Sequence, residues 1–176
     1  MVPIESNALM NSSTDFSNDL KLLHGLECWG VLAGEGTGSH VTLDFGRKIE
    51  RARPLRNPTL SDSLRHFKGE FGVFIQNCAW RLETDRIVCS SKTPNDNQGA
   101  MVRGLQMLIG QHIVTATAML PGHDLVIEFS GPHTLRLFCD CFSQENDGDN
   151  YSLHTVDRVF TVQAGGVLSL ESRRRI

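Results

Sequence analysis

No stretch of this chain approaches the ~20 consecutive apolar residues that a membrane-spanning helix requires. The N-terminus lacks the charged start and apolar core of a secretory signal. Cysteine is sparse: the five residues are an odd number at scattered spacings, which does not suit a secreted disulfide framework. Reduced thiols in a cytoplasmic protein are the expectation. Charge of either sign is in little excess, with a formal net charge of −3, so the total implies neither nucleic acid nor an anionic membrane as partner. Several catalytic signatures are missing as well. There is no Gly-x-Ser-x-Gly nucleophile elbow and no His-Glu-x-x-His zinc helix. The His-x-Glu and Pro-Cys-x-x-Cys pair of zinc deaminases is also absent.

What is present organises itself around the segment Gly110 to Cys141. His112 to Ala118 is rich in β-branched residues, and Pro121-Gly122 follows as a turn signal. In Asp124 to Phe129, Leu125, Ile127 and Phe129 share one face, the period-2 pattern of a half-buried strand. Ser130-Gly131-Pro132 ends it, and His133 to Asp140 alternates again. Short turns between such runs predict an antiparallel meander. An earlier segment, Gly25 to Arg53, echoes this one: Leu43-Asp44-Phe45 matches Ile127-Glu128-Phe129. Each follows a glycine, Gly25 or Gly110, that itself follows a leucine-bearing segment. The pattern predicts an α+β fold of two pseudo-repeated halves, residues 15–90 and 98–172. Each half would be a helix plus an antiparallel β-meander, with the core formed as sheet or closed like a barrel. A chain of 176 residues, 40% hydrophobic and 21% charged, suits one soluble globular domain or two intimately packed halves.

Residues 1–14 are polar and without sustained period, and read as a mobile leader. Asp15 or Ser17 is placed to cap a helix through Leu23 that Gly25 ends. Thr59 is placed to cap a second, over Leu60, Leu64 and Phe67. Strand-like runs follow at Phe71–Gln76, Cys78–Glu83 and Arg86–Cys89, with Trp80 expected in the core. Ser90 to Gly99 reads as a linker and Ala100 to Ile109 as a helix, weakened by Gly104. Short strands are expected at Tyr151–Val156, Val159–Val162 and Val167–Leu170, before a basic tail at 173–176.

Four features bear on function. Gly34-Glu35-Gly36-Thr37-Gly38-Ser39 is glycine-rich, but a strand follows where a phosphate loop needs a helix N-terminus, and the Lys-Ser/Thr pair is missing. A wide hairpin loop is the plainer reading. Arg47, Lys48, Arg51, Arg53, Arg56, Arg65 and Lys68 form a basic run suited to phosphate or an acidic partner, or to protecting a strand edge. It has no aromatics interleaved between Arg47 and Arg65, which makes nucleic acid a poor fit. Asp140, Glu145, Asp147 and Asp149 form an acidic patch; the spacing fails the calcium-loop pattern, since position six from Glu145 is Asn150 and position twelve is Val156. Among His123, Asp124, His133, Cys139 and Cys141 are metal-type donors, but they do not make up a set of four zinc ligands at an expected spacing, and Cys139 reads as an inert thiol beside Leu135 and Leu137.

The segments CAWRLE (Cys78 to Glu83), DLVIEFSG and LRLFCD within Leu108 to Asp140 resemble those of small bacterial proteins of unknown function, some in toxin–immunity neighbourhoods. The resemblance implies a bacterial cytoplasmic α+β module and carries no active-site residues. No cofactor or metal is expected. The first functional expectation is a non-catalytic protein-binding module, an immunity-type inhibitor, with Asp140, Glu145, Asp147 and Asp149 meeting the partner protein. The second is a small-ligand or enzymatic domain with a cleft between the halves, lined by Gly34, Glu35, Gly36, Gly38, Ser39, His123 and Asp124.

Overall fold

In the computed structural model, which describes residues 4–37, 40–96, 98–141 and 148–172, alternation in the sequence becomes alternation in burial. Leu125, Ile127 and Phe129 are buried in one strand while Glu128 is exposed. Val41, Leu43 and Phe45 are likewise fully buried in another. The described residues form three α-helices and eleven strands: α1 (Ile4–Lys21), β1 (Cys28–Leu32), β2 (Val41–Glu50), α2 (Asp62–His66), β3 (Phe67–Ile75), β4 (Ala79–Glu83), β5 (Ile87–Ser90), α3 (Ala100–Gln106), β6 (Ile113–Met119), β7 (Asp124–Phe129), β8 (Thr134–Phe138), β9 (Tyr151–His154), β10 (Arg158–Val162) and β11 (Leu168–Ser172). A 3-10 turn, Ala164–Gly166, joins the last two strands.

The fold is α+β, with two antiparallel sheets. One has the order β1-β2-β3-β9-β10-β11 and the other β5-β4-β8-β7-β6. Read from β1 and from β6, the two orders correspond strand for strand until β11, which has no counterpart. Each sheet is completed by a hairpin from the other half of the chain: β9 pairs with β3, and β4 with β8. The meanders therefore do not stand as separate units, a point that strand patterns alone do not reveal. Both sheets are open, so the barrel alternative does not hold. Their inner faces share one core, including Phe45, Val73, Tyr151 and Phe160 from the first sheet and Trp80, Leu82, Ile127 and Leu137 from the second. Helix α1 packs against β6 and β11, an edge of each sheet, and brings Phe16 and Leu20 into the core.

A reciprocal set of backbone hydrogen bonds joins the two halves. Gly25 N–H donates to the Ile113 carbonyl and Gly110 N–H to that of Cys28, both at 2.8 Å. Cys28 N–H donates to Gln111 O at 2.8 Å and Ile113 N–H to Leu26 O at 2.9 Å, around a bridge between Glu27 and His112. The chain makes this turn with φ of 78° at Gly25 and 84° at Gly110, where an L side chain is strained.

Some boundaries differ from the sequence reading. Helix α1 begins at Ile4, ahead of the expected cap at Asp15 or Ser17, so it runs through residues assigned to the leader. Helix α2 is capped by Ser61, whose Oγ accepts from Leu64 N–H at 3.3 Å, while Thr59 donates to Asn57 Oδ1. Helix α3 stops at Gln106 rather than Ile109. The tail at 173–176 lies outside the described residues.

Candidate functional site

The outer face of β2 should be solvated, because Thr42 and Asp44 alternate with the core residues Val41, Leu43 and Phe45. Instead Asp44 is only 5% exposed. The cause is the long connection between β2 and β3, which folds back over the sheet. Arg51 N–H donates to His66 O at 2.8 Å, Leu55 N–H to Arg65 O at 2.9 Å, and Arg51 Nε–H to Phe67 O at 2.9 Å. Leu64 closes over Gly30, where an added Cβ would sit 3.1 Å from Leu64 Cδ2 and 2.9 Å from Asp44 Cβ. Glycine at position 30 is what lets this cover approach the sheet.

Asp44 has a structural partner. The ladder between β2 and β3 shifts register after Phe45, and Gly69 N–H donates to Asp44 Oδ1 at 2.7 Å. Burial pushes the Asp44 carboxyl above the ordinary aspartate range, and the Gly69 N–H, Arg51 and Lys68 pull against that shift. The same residues line a cavity of about 420 Å³, a volume within the range of small-molecule sites, ~300–1,000 Å³. Leu32, Leu55 and Phe74 give it apolar walls, and Arg51, Lys68 and His154 stand on it with Asp44. Gly72 forms part of the floor: a Cβ there would meet Asp44 Oδ1 at 3.7 Å and His154 Cβ at 3.9 Å, ordinary contacts. The arrangement can accept a donor on Asp44 and receive an acidic group beside the two cations.

Of the expected ligand loop, the described residues Gly34, Glu35 and Gly36 do not line this cavity. Gly34, Glu35 and Gly36 join β1 to β2, and Thr37 closes the loop on itself, N–H and Oγ1 both donating to Gly34 O at 3.1 and 2.8 Å. Gly38 and Ser39 lie outside the described residues. His123 and Asp124 are elsewhere in the fold. His123 Nδ1 lies 3.0 Å from Gly166 O, in the turn between β10 and β11, and Asp124 Oδ1 accepts from Cys139 N–H at 2.7 Å. His123 O also accepts from Tyr151 Oη, on β9, at 2.7 Å.

Of the acidic patch, Glu145 and Asp147 lie outside the described residues. Asp140 is exposed, and its Oδ1 accepts from Ala79 N–H at 3.0 Å. Asp149 is half-buried, and its carboxyl is pushed up by burial and by Glu171. The basic run is partly spent on structure: Arg47 pairs with Glu70 at 2.7 Å, and Lys48 lies 4.8 Å above the Trp29 ring. All five cysteines are free. Burial pushes the Cys28 and Cys78 thiols up to about 12 and Cys89 up to about 11, and raises Cys139 further still, which leaves them protonated and weakly nucleophilic near neutrality. Among the described residues no group of three His, Cys, Asp or Glu side chains is placed to hold a metal ion.

Asp44 was invisible as a site because its sequence context reads as a strand's solvent face. The available signal was the long connection from Arg51 to His66, against four residues between β7 and β8. Comparison with known proteins brings nothing further: no family model, no curated protein and no solved structure matches the chain.

Proposed function

We propose that this chain binds a small organic anion in the cavity above Asp44. One observation carries the reading: a buried carboxyl that burial disfavours ionising sits with Arg51 and Lys68 in a cavity of small-molecule size. In this reading the ligand's acidic group lies between Arg51 and Lys68, and a donor group meets Asp44. Its apolar body rests on Leu32, Leu55 and Phe74. The role is recognition rather than bond-making.

A protein-binding role, as an immunity-type inhibitor presenting Asp140, Glu145, Asp147 and Asp149, has less support. Asp140 is committed to the Ala79 N–H, and burial works against charge on Asp149.

The test is equilibrium dialysis against the small-molecule fraction of an extract of the source organism, read by mass spectrometry. Wild type should concentrate one class of organic anion. Lys68→Met and Asp44→Asn should each hold it about tenfold less, the scale of one lost hydrogen bond to a charged group. Equal retention by all three proteins contradicts the reading. So does an empty wild type that captures a protein from whole extract instead.

A further inference from the structure

Three of the five thiols, Cys78, Cys139 and Cys141, gather at one end of the β4–β8 pair. Trp80 and Leu137 lie opposite each other on the inner face of that pair and are buried. Two residues further along each strand, Cys78 and Cys139 return to the same face. The last paired residues are Ala79 and Phe138, so Cys78 and Cys139 are the next to face each other. The backbone bonds fix the kind of pair they make. Trp80 turns its peptide groups to the β5 side: its O accepts from Ser91 N–H at 2.9 Å, and its N–H donates to Ser91 Oγ at 3.4 Å. Ala79 N–H points the opposite way and donates to Asp140 Oδ1 at 3.0 Å. Cys139 N–H turns from β4 toward β7 and donates to Asp124 Oδ1 at 2.7 Å. Bonding to β8 therefore falls to Ala79, and the positions on either side of it, Trp80–Leu137 and Cys78–Cys139, are non-hydrogen-bonded. Such partners have Cα atoms about 4.5 Å apart. A disulfide spans about 4.4–6.8 Å between Cα atoms, so the backbone already holds these two residues at a bonding separation.

Cys139 Sγ–H donates to His123 O at 3.5 Å. Tyr151 Oη–H donates to the same carbonyl at 2.7 Å, so that oxygen keeps a partner when Cys139 turns toward Cys78. Cys78 is buried and Cys139 half-buried, so a small oxidant meets Cys139 first. We infer that Cys78 and Cys139 are a redox pair, which a peroxide closes into a disulfide tying β4 of the earlier half to β8 of the later. In the first step Cys139 thiolate attacks one peroxide oxygen and hydroxide leaves, giving a sulfenic acid. Cys78 thiolate then attacks that sulfur and expels a second hydroxide. The two thiol protons convert both hydroxides to water, and two electrons have passed from the sulfurs to the peroxide. Burial above all, with Asp124 and Asp140 adding to it, keeps both thiols protonated near neutrality. Closure is therefore slow at pH 7 and quickens as pH rises.

The test is hydrogen peroxide treatment of the folded full chain, with thiols counted by mass spectrometry and linked peptides identified after proteolysis. Wild type should lose two thiols and yield one linked pair, Cys78 with Cys139, faster at about pH 8.5 than at about pH 7. Dithiothreitol should restore both thiols. Cys78→Ser and Cys139→Ser should form no disulfide, and Cys141→Ser should form it as wild type does. The oxidised protein should unfold at a higher urea concentration than the reduced one, because the bond closes a long loop between strands that already face each other. A link made by Cys141, or a link that forms only in concentrated urea, overturns the inference. So does a Cys139 oxidised past sulfenic acid with no link formed, or a urea midpoint that falls on oxidation.

Discussion

Ionising Asp44 is disfavoured in the folded chain chiefly because its carboxyl is buried, even with Gly69 N–H, Arg51 and Lys68 opposing the shift. Its folded pKa is raised, so between the unfolded and folded values the native state holds more protons. The residue's contribution to stability is then full below the unfolded pKa and is lost as pH rises through the folded one. Asp44→Asn removes the titration and keeps an oxygen for the Gly69 N–H. The variant should therefore gain stability relative to wild type as pH rises from about 4 to 7. Urea unfolding at the two pH values measures this, and a relative loss would contradict it. The raised carboxyls of Asp19 and Asp149 are common to both proteins and cancel in the difference.

At the scale of elements, Gly104 illustrates a conflict between propensity and packing. Alanine in place of a helical glycine is worth about 1 kcal/mol in isolation. Here the added Cβ would stand 2.7 Å from Cys89 Sγ and 3.2 Å from Val88 Cγ1, where α3 lies on β5. Overpacking of this kind costs roughly 1–3 kcal/mol, so Gly104→Ala should destabilise the protein. In a Cys89→Ala background the loss should shrink or reverse, and a double-mutant cycle in urea reads the coupling. Additive effects would contradict the close-approach explanation. The same balance of local and long-range effects decides what the sequence could reveal. Strand β7 was legible to the residue, because half-burial imposes strict alternation on Asp124–Phe129. Leu43-Asp44-Phe45 has the same pattern, yet Asp44 is buried while Glu128 is exposed and accepts from Thr115 Oγ1 at 2.8 Å. What separates them is the chain folded over one sheet and not the other, a tertiary fact absent from either triplet. The glycine-rich loop was legible for the converse reason: its composition is explained by the turn between β1 and β2 that Thr37 closes on Gly34 O.

For the whole molecule, the exchanged hairpins are the main consequence of the topology. Strands β4 and β5 complete the sheet of the later half, and β9 and β10 that of the earlier. Neither sheet can be lost without removing strands from both halves of the chain. Trp29 in β1 and Trp80 in β4 report on different sheets. Single-tryptophan variants, Trp29→Phe and Trp80→Phe, should each unfold in urea with a fluorescence midpoint that coincides with that of far-UV circular dichroism. Midpoints separated between probes within one variant would show that the sheets melt independently. The measurement that tests the Asp44 reading most directly is NMR mapping of carboxyl and backbone amide signals as the small-molecule extract fraction is added. The account predicts saturable, concerted shifts at the Asp44 carboxyl and the Gly69 and Gly72 amides, with Asp140 and Asp149 unmoved. Shifts confined to Asp140 and Asp149, or none at Asp44, would contradict it.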